Sequence, residues 1–191
     1  MMKGKPNDNV KRILHFVPED SIGAEIGVWR GNSSSLFLER KPKHLHLVDT
    51  WSVEPYQGVW DWYVNKYSSV VGSKNPDDFM KYYDTLYESI QSTFGVLDNV
   101  TVHRMYSDEF FSSLDDNSLD WIYIDGDHSY EGCLKDLRES VRVVKNGHNI
   151  LGDDYGNKPG VTRAVDEFVK ENGFEFERFR NQWRILNSAD V

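Results

Sequence analysis

The chain of 191 residues, 39% of them hydrophobic, is long enough to bury one substantial core. A formal net charge of −9 and the lack of any basic run disfavour binding to a nucleic-acid backbone, which depends on clustered Lys and Arg. No segment approaches the roughly 20 apolar residues that cross a bilayer, and residues 1–10 lack an apolar stretch of the signal-peptide type. We therefore expect one cytoplasmic domain over residues 1–191 that binds neither nucleic acid nor membrane.

Four elements are predicted in the first 49 residues. Apolar residues at helical spacing indicate a leading helix, which Pro18 ends. The side chain of Asn32 or Ser33 can cap a second helix. A helical crossover between two buried strands predicts that the strands are parallel neighbours. The elements are a helix at 9–17, a strand at 23–29, a helix at 34–40 and a strand at 44–48, followed by Asp49.

Residues 51–98 are predicted to be an insertion, because the segment is far longer than an ordinary connection between a strand and a helix. It contains 11 of the 26 aromatic residues. Residues 79–94 have helical spacing after Asp77 and Asp78, which suit a helix N-terminus, whereas 51–67 supports no assignment. The segment follows the second strand, at the edge where open parallel sheets bind ligands, which favours a lid. A larger core and a dimer surface are the alternatives.

From residue 99 onward, strands and helices alternate, which indicates a mostly parallel sheet with helices on both faces. Asn-Gly pairs at 146–147 and 172–173 suit left-handed helix ends. The last two strands are close enough in sequence to form an antiparallel hairpin. The elements are strands at 99–103, 119–124, 148–151, 174–179 and 182–186, and helices at 107–114, around 134–144 and at 161–171. The prediction is an α/β domain with seven strands.

A turn with two glycines follows the first strand, where open parallel sheets bind nucleotide cofactors. Gly27 and Gly31 permit tight bending and close approach of a ligand. Glu25 stands where the dinucleotide fingerprint G-x-G-x-x-G requires glycine, so the pattern E-x-G-x-x-x-G disfavours NAD. Asp49 ends the second strand, where a carboxylate can accept hydrogen bonds from both ribose hydroxyls. A solvated loop acid is the alternative for this residue.

These features resemble class I S-adenosylmethionine-dependent methyltransferases, in which E-x-G-x-x-x-G, an acid after strand two and a terminal hairpin occur together. The resemblance covers nearly the whole chain and implies a Rossmann-like fold. The glycines would line the methionine end of the cofactor, the strand-two acid would hold the ribose, and a polar residue after strand three would meet the adenine. The cofactor-binding residues implied are Glu25, Gly27, Gly31, Asp49, Ser107, Asp108 and Asp125. For Asp108, helix capping is the alternative.

Carboxylates also follow strands four and five. Asp125 and Asp153 are one strand-helix-strand unit apart, so both are expected at the carboxyl ends of parallel strands beside the cleft. Asp154 adds a third carboxylate. Like charges packed together raise one another's pKa unless a cation neutralises them, and oxygen ligands suit Mg²⁺, Mn²⁺ or Ca²⁺. A hydrated acidic rim without an ion is the alternative.

The sequence D-G-D-H at 125–128, with Asp-Asp downstream, resembles the macrolide-sugar O-methyltransferases, which are similar to the metal-dependent catechol and caffeoyl-CoA types. The resemblance implies that Asp125, Asp153 and Asp154 bind the metal and that His128 is the general base. The chemistry agrees, because a hydroxyl bound to a divalent cation loses its proton more readily and imidazole accepts protons near neutral pH. Capping of the following helix is the alternative for the histidine and its neighbours.

The predicted function is transfer of a methyl group from S-adenosylmethionine to a hydroxyl of a small molecule or sugar, assisted by a divalent metal. A metal-independent methyltransferase acting on nitrogen or a carboxylate is one alternative. A nicotinamide-dependent oxidoreductase is disfavoured by Glu25, and a non-catalytic nucleotide-binding protein by the intact D-G-D-H sequence. The identity of the acceptor and the oligomeric state, including a homo-oligomer, stay open.

Overall fold

A computed structural model describes residues 9–188, apart from the side chains of residues 56 and 57. Seven strands form one sheet in the order β3-β2-β1-β4-β5-β7-β6, which confirms the predicted Rossmann-like α/β fold. The strands are β1 (Ile22–Ile26), β2 (His44–Asp49), β3 (Val100–Arg104), β4 (Leu119–Ile124), β5 (Val144–Gly152), β6 (Glu175–Phe179) and β7 (Gln182–Leu186). The helices are α1 (Asn32–Leu38), α2 (Trp60–Val71), α3 (Pro76–Thr93), α4 (Ser107–Ser112), α5 (Tyr130–Val143) and α6 (Pro159–Asn172).

The centre of the sheet is parallel, and its C-terminal edge is antiparallel. β1 pairs in parallel with β2 on one side and with β4 on the other. β7 pairs antiparallel with both β5 and β6, which confirms the predicted hairpin. The order of the chain changes sides between β1 and β4, and ligands bind at such a switch point, beyond the carboxyl ends of the strands.

Helices cover both faces of the sheet because side chains alternate along each strand. In β4, Ile122 and Ile124 belong to the core under α4, α5 and α6. Trp121 and Tyr123 belong to the core under α1, α2 and α3. The four side chains are at most 4% exposed. The strand ends that carry the candidate site are thus held between two apolar layers.

The N-terminal segment differs from the predicted leading helix. It forms two 3₁₀ turns, Val10–Arg12 and Leu14–Phe16. Val10 and Ile13 are fully buried against the sheet. So short a segment is not stable as an isolated α-helix, and packing against the sheet decides its conformation. Residues 1–8, part of the segment expected to lack a signal peptide, lie outside the described residues; among those described, no helix is long and apolar enough to cross a membrane.

Two predicted helix ends are also wrong. The N-cap of α1 is Gly31 in the left-handed conformation, so Asn32 and Ser33 lie inside the helix. The end of α5 is Val143, and Gly147 lies within β5 with a φ of 77°. There the register between β4 and β5 shifts, so the glycine accommodates an irregularity in the strand and does not end a helix.

The insertion packs partly in the core and partly along the cleft. Helix α3 lies where the spacing predicts it, and at its start the Asp77 N–H donates to Asn75 Oδ1 at 3.0 Å. The unassigned first half contains a 3₁₀ segment, Glu54–Val59, and α2. Tyr63 and Tyr83 are buried and share a hydrogen bond between α2 and α3. This hydrogen bond joins one side of α2 to α3, and the opposite side of α2 takes no part in the contact.

A pair of histidines on β2 and β3 is expected to make the free energy of unfolding depend on pH. The Nδ1 of His46 lies 3.0 Å from the Nε2 of His103. Burial lowers the pKa of His46 to about 4, and the charges of His44 and His103 act in the same direction. Because this pKa lies below the ordinary value of about 6.5, the unfolded chain takes up a proton here more readily than the folded chain. The contribution of neutral His46 to the free energy of unfolding is therefore complete above pH 6.5 and is lost as the pH falls toward 4.

We expect this group to lower the free energy of unfolding by about 2 kcal/mol between pH 7 and pH 4.5, after allowance for its partial exposure. The His46→Gln variant should lose that part of the pH dependence, because glutamine does not titrate. Urea unfolding at several pH values measures it, with His15→Gln, an exposed histidine, as the control. Equal pH dependence in the wild type and in His46→Gln would contradict the assignment.

Candidate active site

A cleft of about 1340 Å³ opens at the switch point of the sheet. Its wall combines the turns after β1, β2, β3, β4 and β5 with one side of α2. The residues predicted from the sequence that line it are Glu25, Gly27, Asp49, Ser107, Asp108, Asp125, His128 and Asp154. Two other predicted residues, Gly31 and Asp153, are not among the described residues of this wall. The fold therefore brings most of the predicted site into one cavity.

Gly27 allows the turn after β1 to approach the turn after β4. Its φ is 88°, and its N–H donates to the carbonyl of Val48 at 2.8 Å. A Cβ at this position would overlap the carbonyl oxygen of Asp125 and lie 2.8 Å from the nitrogen of Gly126. The floor of the cleft at this point is therefore bare backbone, and any side chain would push the two strands apart.

Gly31 precedes α1 and leaves space for side chains of the insertion. Its φ is 71°, in the left-handed region. A Cβ here would lie 2.9 Å from Cδ1 of Ile90 and would overlap the ring of Phe94. The space left by this glycine is filled by side chains at the end of the insertion, which is sufficient reason for glycine at this position. Contact between Gly31 and a cofactor stays a prediction.

Glu25 places a buried carboxyl group beneath the glycine turn. The residue is 1% exposed, and the hydroxyl of Ser34 donates a hydrogen bond to its Oε2. Burial raises the pKa of Glu25 well above its ordinary value, and Ser34 partly opposes this effect. A neutral carboxyl group can donate a hydrogen bond as well as accept one. Glu25 can therefore present a fixed polar group to a ligand in the cleft.

Asp49 is a structural part of the turn after β2. Its Oδ2 accepts the N–H groups of Val28 and Trp29 at 3.0 and 2.9 Å, and its Oδ1 accepts the N–H of Trp51 at 2.7 Å. Burial raises the pKa of Asp49, while these hydrogen bonds lower it. The residue is therefore more than a solvated loop acid. A carboxylate has about four lone-pair positions, so a ribose hydroxyl would share the group with backbone donors.

The start of α4 carries the two residues predicted to meet the adenine. The hydroxyl of Ser107 donates to Oδ1 of Asp136 at 2.7 Å. Oδ2 of Asp108 accepts from Nζ of Lys135 at 2.8 Å. Glu109 caps α4 by accepting the N–H of Tyr106, and the carboxylate of Asp108 also contacts backbone N–H groups of the first turn, so it contributes to the helix start as well. Both predicted residues line the cleft, and both are anchored to α5.

Three side chains from the turns after β4 and β5 form an acid-histidine cluster, which comprises Asp125, His128 and Asp154. The Nε2 of His128 lies 3.5 Å from Oδ1 of Asp125 and 3.2 Å from Oδ2 of Asp154. One ligand atom from each residue lies within 4.8 Å of the others, a spacing that one cation could bridge. Burial raises the pKa of Asp125 to about 6, and the charges of the nearby aspartates add to this effect. The pKa of His128 is raised by its contact with Asp125.

Asp153 anchors the turn that carries Asp154. Its Oδ1 accepts the N–H of Asp154 at 2.6 Å and a hydrogen bond from Nδ2 of Asn181. Its carbonyl accepts the indole N–H of Trp183 at 2.9 Å. The predicted set of three aspartates is thus represented in the acid-histidine cluster by Asp125 and Asp154, with His128 as the third member. Ligation of a metal by Asp153 stays a prediction.

In the loop before α5, the residues that cap the helix are different from the histidine. Ser129 is the N-cap of α5, and its Oγ accepts the N–H of Gly132 at 3.0 Å. Oδ1 of Asp127 accepts the N–H of Ser129 at 2.8 Å. The alternative of helix capping therefore describes Asp127 and Ser129, whereas His128 faces the two carboxylates.

Arg30 was missed by the sequence analysis. Its Nε and Nη2 donate to the hydroxyl of Tyr82 at 3.2 and 2.9 Å, and its guanidinium lies 4.5 Å from the centre of the Trp29 ring. The indole N–H of Trp51 donates to the carbonyl of Trp29 at 3.0 Å. These contacts hold the glycine turn to the insertion. No local pattern could have revealed them, because 52 positions separate Arg30 from Tyr82.

Comparison with curated proteins identifies one relative, described as uncharacterized protein R132 of Acanthamoeba polyphaga mimivirus. It is 26% identical to this chain over 161 residues, which are 82% of this chain and 62% of that protein. The chain therefore spans less than two thirds of the length of this relative.

Similar solved structures include the O-methyltransferase NovP, with a TM-score of 0.59 and 18% identity over 95% of this chain and 79% of that one. Another is the O-methyltransferase TomG from Streptomyces achromogenes, involved in tomaymycin synthesis and solved in complex with SAM. Its TM-score is 0.60, with 11% identity over 95% of this chain and 78% of that one. At these identities the similarity establishes the fold.

A family model described as a methyltransferase domain matches residues 24–155. The match begins in β1 and ends just after β5, so it includes the glycine turn, the acid at the end of β2 and the acid-histidine cluster. It covers more than half of the chain. The chain therefore belongs to the family of S-adenosylmethionine-dependent methyltransferase domains.

Proposed function

We propose that this protein transfers the methyl group of S-adenosylmethionine to a hydroxyl group of a small molecule or sugar, with the help of a divalent cation. The observation that carries the proposal is the position of the acid-histidine cluster in the same cleft as the glycine turn. A methyl donor at the turn and an acceptor beside the histidine would be neighbours. Such proximity is needed because the acceptor oxygen must approach in line with the methyl group.

The residues around the glycine turn fit S-adenosylmethionine. The bare backbone at Gly27 leaves room for the methionine end. Asp49 lies at the end of the neighbouring strand, where it would hold the ribose, and Ser107 and Asp108 lie one strand further, where they would meet the adenine. This order along the edge of the sheet suits an extended adenosyl cofactor. When bound, the cofactor supplies an electrophilic methyl group on a sulfonium.

The acid-histidine cluster fits a hard divalent cation. Carboxylate oxygens of Asp125 and Asp154 lie within 4.8 Å of each other, so these two residues can share a cation while Nε2 of His128 is kept for proton transfer. Mutual repulsion of buried carboxylates contributes to the raised pKa of Asp125, and a cation would relieve it. Asp125 and Asp154 would hold Mg²⁺, Mn²⁺ or Ca²⁺, with Asp153 as a further candidate. When bound, such a cation lowers the pKa of a hydroxyl group that contacts it.

His128 is the proposed proton acceptor. Methyl transfer to a hydroxyl oxygen releases one proton, and an imidazole beside the acceptor can take it at Nε2. Carboxylate oxygens of Asp125 and Asp154 that do not contact the cation would orient the ring and stabilise its protonated form. The side chain is 40% exposed, so the proton can then pass to water.

The insertion would form the wall against the acceptor. Val59, Trp62 and Val70 line the cleft, although they are 51%, 56% and 39% exposed. Aromatic faces stack on flat rings and on the apolar faces of sugars, and they leave polar edges free for hydrogen bonds. We infer that an acceptor covers these side chains when it binds.

Thermal unfolding with S-adenosylhomocysteine or NAD, each with Mg²⁺ or with a chelator, tests the proposal. A ligand at about 100 times its dissociation constant adds about 2.7 kcal/mol, which should raise Tm by about 5 to 10 °C for a domain of this size. We expect a shift with S-adenosylhomocysteine that Mg²⁺ enlarges, and none with NAD.

The Asp154→Asn variant should lose the part of the shift that depends on Mg²⁺, while Asp115→Asn, an exposed acid outside the cleft, should keep it. A shift with NAD alone would contradict the choice of cofactor. A shift with S-adenosylhomocysteine that is insensitive to Mg²⁺ would favour a metal-independent methyltransferase.

A further inference from the structure

Lys158 is fixed beside the acid-histidine cluster. Its N–H donates to the carbonyl of Asp154 at 3.0 Å, and its own carbonyl accepts the N–H of Thr162 at 3.0 Å. Two residues later, a Cβ at Gly160 would overlap the carbonyl of His128 and lie 2.8 Å from the nitrogen of Tyr130. The start of α6 is therefore packed directly on the backbone of the loop that carries His128.

The ammonium of Lys158 forms no ion pair with an acidic side chain in the part of the chain that the structure describes. The residue lines the cleft and is partly buried, yet no described carboxylate lies within ion-pairing distance of its Nζ. Two other cations in the cleft have partners: Lys135 pairs with Asp108, and Arg30 donates to a tyrosine hydroxyl. Exposed lysines elsewhere in the described chain also lack ion pairs, but Lys158 is the lysine in the wall of the cleft that lacks one.

The position of Lys158 associates it with the acceptor. The ends of β2 and β3, where the ribose and adenine are proposed to bind, lie on one side of β1. Lys158 follows β5, which lies two strands away on the other side of β1. Its charge reaches the imidazole of His128, where it opposes the rise in pKa caused by Asp125. It therefore faces whatever binds next to the histidine.

We propose that Lys158 makes the acceptor site selective for hydroxyl compounds that also carry a carboxylate or phosphate group. The inference rests on the proposed function, because it assigns a partner within the same cleft. With the proposed divalent cation bound, the charges of Asp125 and Asp154 are offset, so the ammonium of Lys158 is the nearby charge that would attract an anionic group of the acceptor. The exposed apolar wall of α2 would contact the uncharged body of the compound.

Calorimetry with protein saturated in S-adenosylhomocysteine and Mg²⁺ tests the inference without requiring turnover. One matched pair of probes is 3,4-dihydroxybenzoate and 3,4-dihydroxybenzamide, and the other is glucose 6-phosphate and glucose. We expect the anionic member of at least one pair to bind at least 10-fold more tightly than its neutral partner. The pair that shows this difference tells whether the site prefers a carboxylate or a phosphate. Lys158→Gln should reduce the preference to less than 2-fold, and Lys158→Arg should keep most of it.

Lys170 is an exposed lysine near the end of α6, the helix that begins just after Lys158. Lys170→Gln removes one positive charge away from the cleft and should keep the preference. The inference is overturned if wild type binds both members equally or binds neither, or if Lys158→Gln keeps the preference. A loss of affinity for S-adenosylhomocysteine in Lys158→Gln would place the lysine at the cofactor and also overturn it. Failure of the proposed function is a separate result: wild type would bind no S-adenosylhomocysteine or would transfer no methyl group to any hydroxyl acceptor.

Discussion

Replacement of Gly27 by alanine is expected to weaken binding of S-adenosylhomocysteine at least 100-fold. The new Cβ would overlap the carbonyl of Asp125, and the backbone φ of 88° is unfavourable for alanine. The turns after β1 and β4 would have to separate, which distorts the floor of the cleft. Overpacking and backbone strain together should lower the free energy of unfolding by about 3 kcal/mol. Calorimetry and urea unfolding measure the two effects.

Gly72→Ala is the matched control, because it has nearly the same backbone strain without the steric overlap. Gly72 has a φ of 81° at the end of α2, and a Cβ there would have no atom within 4 Å. It should lose about 1 kcal/mol of stability and bind S-adenosylhomocysteine like the wild type. If the two alanine variants bind it equally well, the close approach at Gly27 is not part of the cofactor site.

The second large effect is expected for His128→Gln, which should lower kcat at least 100-fold while the affinity for S-adenosylhomocysteine stays within 2-fold of wild type. Glutamine retains hydrogen-bonding capacity but cannot take up the proton that methyl transfer releases. General-base catalysis typically contributes about 10²- to 10⁴-fold to a rate. Transfer of a radiolabelled methyl group to a hydroxyl acceptor, together with calorimetry, separates the loss of chemistry from a loss of binding.

His148→Gln is the control for the histidine. The side chain of His148 is 36% exposed and lies 3.9 Å from the carboxylate of Asp120, so its surroundings resemble those of His128. It is not among the described residues that line the cleft. Unchanged turnover in this variant, with loss in His128→Gln, would support a catalytic role. An equal rate for both variants and the wild type would exclude His128 as the general base.

Local sequence patterns were most informative where an element is both regular and buried. The run of apolar residues at 119–124 predicted β4 with its observed bounds, because a strand in the middle of a parallel sheet is buried on both faces. Two apolar runs with a short connection predicted the terminal hairpin for an equally local reason. The first half of the insertion gave no usable pattern, since aromatic residues occur there on both the buried and the exposed sides of α2.

The candidate site was predictable as far as strand ends determine it. Parallel strands bring their carboxyl ends to one edge, so the sequence was enough to place Asp49 and Asp125 beside the same cleft. The choice between Asp153 and Asp154 was different. It depends on a turn in which Asp154 has a φ of 65° and the carboxylate of Asp153 is held by Asn181 from the terminal hairpin.

The sequence by itself determined the order and type of most elements, the glycine turn and the set of acidic residues at the strand ends. These follow from interactions between residues a few positions apart and from the geometry of parallel sheets. Only the tertiary structure decided that Gly31 makes room for α3, that Arg30 holds the turn to Tyr82 and that Lys158 lies beside the loop of His128, with no acidic partner among residues 9–188. Those contacts join distant parts of the chain, and packing in three dimensions, which local propensity does not encode, selects them.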